Sequence, residues 1–147
     1  RRMMEAPANS VAKYANKPLL FGVAVLTSMD EADAREVGIV KPIAEQVVDL
    51  ATLTQASGLD GVVCSAMEAQ PLRAALGQDF LLVTPGIRLP NAQNSDDQRR
   101  IMTPQDALTS GSSYLVMGRP VTQAADPVAV IRDVNAIAAQ LQHPSGL

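Results

Sequence analysis

A second cysteine is missing. Cys64 stands alone among 147 residues, so neither a disulfide framework nor a cysteine metal cluster is available, and a reducing cytoplasm fits. A basic excess is missing too. With a net charge of -3 and a pI near 5.0, the chain lacks the footprint of a general nucleic-acid or membrane-surface binder, which leaves a small molecule or another protein as partner. No apolar run approaches a membrane span, and the N-terminus has no signal-peptide layout. Lysine occurs only as Lys13, Lys17 and Lys41, and the one histidine, His143, reads as a solvent residue in the tail "HPSGL". The chain starts at Arg1 rather than methionine, from which processing or an upstream segment is expected.

What is present is apolar and periodic. A hydrophobic content of 47% over this length supplies one ordinary core, so residues 1–147 are expected to form one domain or a large part of one, with 142–147 as a disordered tail. Four short apolar runs lack polar alternation: "LLFGVAVL" from Leu19, "GVVC" from Gly61, "FLLV" from Phe80 and "YLVM" from Tyr114. Such runs suit strands buried on both faces.

Helical signals follow each run. Pro42 opens a helix that places Ile43, Val47, Leu50 and Thr54 on one face, and Gly58 stops it. Ser65 and Glu68 have the spacing of a reciprocal capping box, after which Pro71 is expected to split the segment into two short pieces. Thr103-Pro104-Gln105-Asp106 reads as a cap and first turn. Asp126-Pro127 caps a final helix with Ile131, Val134, Ala138 and Leu141 on one face.

Four strand-helix units predict an α/β fold with a parallel sheet and helical crossovers. Two architectures house it: a small doubly wound sheet, or part of an eight-unit barrel, which needs roughly 200 to 250 residues when whole. In both, chemistry sits on the loops that leave the strand C-termini. Two of those loops pair glycine with arginine, as Gly86-Ile87-Arg88 and Gly118-Arg119. Glycine lets backbone N–H groups approach an anion, a following helix N-terminus adds partial positive charge, and arginine offers a fork that matches phosphate oxygens. The plainer reading of either loop alone is a turn glycine beside a solvated arginine.

Five motifs in collinear order carry a resemblance: "VAVLTSM", "GLDGVVCSA", "LLVTPGIR", "DQRRIMTP" and "YLVMGRPVTQAADP", between about Arg2 and Leu141. The chain resembles the bacterial orotidine 5'-phosphate decarboxylases. That resemblance implies the C-terminal part, about four βα units, of a (β/α)8 TIM barrel with parallel strands. It implies decarboxylation of orotidine 5'-monophosphate to uridine 5'-monophosphate without cofactor or metal, in a cytoplasmic homodimer that binds no nucleic acid and no membrane. A carbanion develops there at C6 of the pyrimidine as carbon dioxide leaves, and a lysine protonates it. Residue by residue, Thr27 matches a position against bound nucleotide, Arg88 and Gln98 match phosphate ligands, and Gly118 with Arg119 match the phosphate grip after the last strand. Between Leu89 and Asp96 the chain reads longer than the family commonly does, so Gln93 competes with Gln98. Arg99 and Arg100 read as solvent-facing or structural, Ser65 and Glu68 as helix caps, and Cys64 as core. The family's lysine-aspartate network matches nothing in these residues, so the segment alone is expected to be inactive. Two other readings stand beside this one: a non-catalytic phosphate-binding half-barrel or doubly wound module, and another phosphosugar enzyme on the same barrel.

Overall fold

The computed structural model describes residues 1–90 and 100–142. Gln93, Gln98, Arg99 and His143 lie outside them. All four apolar runs become strands, β1 (Phe21–Val23), β2 (Gly61–Val63), β3 (Leu81–Thr84) and β4 (Tyr114–Leu115), in a parallel sheet of order β1-β2-β3-β4. The register aligns Phe21 with Gly61, Gly61 with Leu81, and Val83 with Tyr114. Each strand starts at one end of the sheet and exits at the other, so all four exit loops gather at one end.

The helices are α1 (Arg2–Val11), α2 (Glu31–Glu36), α3 (Ile43–Ala56), α4 (Ala69–Leu76), α5 (Pro104–Thr109), α6 (Arg119–Thr122) and α7 (Pro127–Gln142). Local chemistry explains most of their starts. Pro42 precedes α3, Thr103 Oγ1 accepts from the Asp106 N–H at 3.2 Å, and Asp126 Oδ1 accepts from the Ala129 N–H at 3.0 Å. At α2, Asp30 and Asp33 cap one another's backbone reciprocally. The segment after β2 does break into two pieces, a 3₁₀ turn over Ala66–Glu68 and then α4. Pro71 is not the break: it lies in the first turn of α4, where its missing N–H is one of the orphans of a helix start.

The main core lies between the sheet and α3 and α4, built from Val47, Ala51, Val62, Leu72, Phe80 and Leu82. A smaller cluster of Ala66, Ile87 and Ala107 packs beneath the exits of β3 and β4. Only β2 is buried as expected of a two-sided strand. Val23 on β1 is 63% exposed and Tyr114 on β4 is 52% exposed, because each is an edge strand with one neighbour. The apolar face of α7 is likewise half covered: Ile131, Val134 and Ala138 line a cavity of about 400 Å³ against Leu108, Leu115 and Val121.

Candidate functional site

The end of the sheet where strands enter is closed by Arg73 of α4. Its guanidinium donates to the carbonyls of Gly77, Gln78, Phe80 and Gly111 and to Ser113 Oγ, tying together the approaches to β3 and β4. The lysines also lie away from the strand exits. Lys17 sits 3.7 Å from Asp60, just before β2, Lys41 pairs with Asp49, and Lys13 stacks over the Tyr14 ring.

The exit end is different. Gly86 follows β3 with φ +79°, a conformation that favours glycine, and the turn it makes sends the chain back toward Met102. The Met102 N–H donates to the Gly86 carbonyl at 3.2 Å, and the Arg88 N–H donates to the Met102 carbonyl at 2.9 Å. Arg88 Nη1 also donates to the Ile87 carbonyl at 2.9 Å. These bonds tie the Gly86–Arg88 backbone to Met102, and the exit of β4 lies beside it. There Gly118 accepts from the N–H groups of Val121 and Thr122 and opens α6, of which Arg119 is the first residue. Pro85, Gly86, Arg88, Val116, Gly118 and Arg119 together line a cleft of about 150 Å³.

Both glycine-arginine pairs therefore meet in one place. A Cβ added to Gly118 would find nothing within 4 Å, so the backbone here faces open space. One expectation needs correction. The helix that follows Gly118 directly is the single turn α6, and the long helix α7 starts only at Pro127, so the dipole of a long helix does not point into the cleft.

Thr27 lies next to this cleft rather than in it. It lines a neighbouring cavity of about 190 Å³ with Val25, Leu26, Ser28 and Cys64, and the two cavities share Pro85. Thr27 is buried, and its carbonyl accepts from the Arg100 N–H at 3.4 Å. Burial pushes the Cys64 thiol up to about 12, so this cysteine is inert core.

Two residues pair in a way their sequence setting does not show. The expected reciprocal cap is only half made: Ser65 Oγ accepts from the Met67 N–H at 3.3 Å, whereas Glu68 Oε1 forms an ion pair with Arg100 Nη1. Of the two readings of Arg100, solvent-facing or structural, the structural one holds. Its side chain is only 13% exposed, and Nη2 donates to the carbonyls of Val25 at 3.3 Å and Leu26 at 3.1 Å. Burial pushes the Glu68 carboxyl up, an effect that the Arg100 guanidinium opposes without overcoming. Glu68 Oε2 and Arg100 Nε, both buried, have no hydrogen-bond partner among the described residues. No group of three His, Cys, Asp or Glu side chains placed to hold a metal occurs among the described residues either, and no described helix is long and apolar enough to cross a membrane.

Residues 1–134 match the model of the Orotidine 5'-phosphate decarboxylase / HUMPS family. The chain is 69% identical over 138 residues to the orotidine 5'-phosphate decarboxylase of Neisseria meningitidis serogroup A, covering 94% of this chain and 56% of that one. It is 59% identical over 135 residues to the Chromobacterium violaceum enzyme of the same name, covering 92% of this chain and 54% of the relative. Among solved structures, the orotidine 5'-phosphate decarboxylase of Lactobacillus acidophilus superposes with a TM-score of 0.75 at 37% identity, over 92% of this chain and 58% of that one. The chain thus spans about half the length of the curated relatives it matches, and its four parallel strands with their helices form part of a (β/α)8 barrel. With the family model matched over nearly its whole length, the chain belongs to the orotidine 5'-phosphate decarboxylase / HUMPS family.

Proposed function

We propose that this chain is the phosphate-anchoring part of a cytoplasmic, homodimeric lyase of pyrimidine biosynthesis that decarboxylates orotidine 5'-monophosphate to uridine 5'-monophosphate. The observation that carries the reading is the cleft in which Arg88 and Arg119 flank Gly86 and Gly118 at the exits of adjacent strands. Two planar cationic forks beside open backbone suit the terminal phosphate of a nucleotide, and the cavity beside Thr27 extends from there toward the exits of β1 and β2. Gln98 belongs to the same set of ligands by family resemblance.

The reacting end of the substrate needs the lysine and aspartate that these residues do not supply. What the phosphate site contributes is binding energy remote from the reaction, which holds the nucleotide in place and is expressed where the charge develops. Half a closed barrel also leaves two open sheet edges, at β1 and β4, and a partly uncovered apolar face. The isolated segment is therefore expected to be both inactive and unstable. The test is carbon dioxide release from orotidine 5'-monophosphate, by a full-length decarboxylase carrying this segment and by residues 1–147 alone. Turnover by the former and none by the latter is the expected outcome. Nucleotide binding without turnover in the full-length protein would favour the non-catalytic phosphate-binding module instead.

A further inference from the structure

We infer that Arg100, held by Glu68, is a positioning residue that fixes the phosphate cleft in register with the Thr27 side of the site. The inference rests on the reading that this cleft takes a nucleotide phosphate. Arg100 reaches the exit of β1 three times: its Nη2 donates to the carbonyls of Val25 and Leu26, and its own N–H donates to the Thr27 carbonyl at 3.4 Å. Two residues later, Met102 is bonded through its N–H to Gly86 and through its carbonyl to Arg88. The segment Arg100-Ile101-Met102 thus spans from the backbone around Thr27 to the backbone of the phosphate cleft.

Glu68 fixes the near end of this span. It comes from the turn after β2, between the two parts being joined, and its carboxylate holds the guanidinium from a third element. Simple stabilisation is a poor account of the arrangement. Buried Glu68 Oε2 and Arg100 Nε are left without partners among the described residues, and a well-packed apolar pair would avoid that penalty. A guanidinium, by contrast, serves one carboxylate and two carbonyls at fixed angles, which is what holding three elements in register requires. Lysine at this position would keep the charge and lose the geometry.

The experiment is a double-mutant cycle on uridine 5'-monophosphate affinity in the full-length decarboxylase, pairing Arg100→Met with Arg119→Ala, with Arg100→Lys and Glu68→Gln as further single variants. Thermal melts establish that each variant is folded. Arg100→Met is expected to weaken binding by about 10- to 100-fold, the scale of a misplacement on the order of 1 Å, with Arg100→Lys recovering part of the loss. The deciding readout is coupling. Arg119→Ala should weaken binding strongly in the wild-type background but by no more than about 3-fold beside Arg100→Met, because a displaced cleft no longer delivers that contact. Additive losses, or unchanged affinity in a folded Arg100→Met protein, would overturn the inference and leave Arg100 as scaffold. If Arg100→Met does not fold, Glu68→Gln replaces it in the cycle and the same two outcomes decide. Failure of the wild-type protein to bind the nucleotide, or an Arg119→Ala variant that binds normally, would instead sink the phosphate reading on which the inference stands.

Discussion

Glycine and arginine occur at both ends of the sheet, in opposite circumstances. Where the strands enter, a Cβ on Gly61 would lie 2.3 Å from the Leu81 carbonyl oxygen and 2.8 Å from the Leu81 Cβ, so glycine is required there by the closeness of β3. Where the strands leave, a Cβ on Gly118 would meet nothing within 4 Å. The arginines divide in the same way. Arg73 at the entry end has its guanidinium taken up by four carbonyls and a serine hydroxyl, whereas Arg119 at the exit end is exposed on a cleft. Residue type alone does not separate scaffold from site. What separates them is whether neighbours already fill the space around the residue, and in an α/β barrel the exit end is the one left open for chemistry.

The same methyl group placed at both glycines should have opposite effects at the two ends. Gly61→Ala drives a Cβ into the Leu81 backbone carbonyl of the adjacent strand, which cannot move aside as a side chain can, and is expected to cost about 3 kcal/mol, the upper part of the range for overpacking. Gly118→Ala should stay within about 0.5 kcal/mol of wild-type stability, as a surface change does. Its effect should appear in nucleotide affinity, because the methyl group enters the space assigned to phosphate. Urea unfolding and uridine 5'-monophosphate titration of both variants, in the full-length protein, provide the check. A silent Gly61→Ala, or a Gly118→Ala that unfolds without affecting affinity, would erase the distinction between the two ends.

A smaller effect, confined to the exit end, is expected at Arg119. Arg119→Ala should cost on the order of 1.5 to 3 kcal/mol in nucleotide binding, the range for a hydrogen bond to a charged group, and lysine should restore only part of it. The loss should largely vanish for the corresponding nucleoside, which has no phosphate to hold. Comparing kcat/KM for the two substrates in wild type and variant measures this difference. Equal losses for both would withdraw the phosphate assignment from this loop.

Much of this architecture was legible because its signals are local. Apolar runs without alternation mark the four strands, and the caps at Thr103 and Asp126 lie within three residues of the N–H groups they serve. Three helices escape that reading. Arg2–Val11 carries Pro7 inside it and buries no residue, Glu31–Glu36 is a short piece that depends on its Asp30–Asp33 box, and Arg119–Thr122 is a single turn opened by Gly118. The cleft was legible too, since Gly86-Ile87-Arg88 and Gly118-Arg119 each follow a strand and adjacent parallel strands bring their exits together. What local pattern does not contain is long-range pairing. Ser65 and Glu68 have capping-box spacing, yet the Glu68 carboxylate finds Arg100, 32 residues away, and Arg73 finds its partners up to 40 residues away. Nothing in "DQRR" distinguishes the arginine that turns inward.

The smallest expected effect concerns what kind of burial each end tolerates. At the entry end Arg73 is matched by acceptors, while at the exit end Glu68 keeps a carboxylate oxygen without a partner among the described residues. Burial pushes the Glu68 carboxyl above its ordinary value, and the guanidinium of Arg100 and the N–H groups of Ser65 and Glu68 pull the other way without overcoming it. A carboxyl raised in the folded state binds its proton more tightly there than in the unfolded chain. Its stabilising contribution is therefore complete below the unfolded value, near pH 4.3 for glutamate, and is lost as the pH rises through the folded value. Glutamine has no proton to lose. Glu68→Gln will shift the overall stability because it alters the contact with Arg100, so the slope is the quantity to measure, not the offset. Across that window wild type should lose stability relative to Glu68→Gln as the pH increases. Parallel curves would mean that burial and the attraction to Arg100 cancel at Glu68, leaving its proton affinity the same in both states. A wild type that gains on the variant with rising pH would show the attraction to Arg100 outweighing burial, and the exit end would then hold its charges as securely as the entry end does.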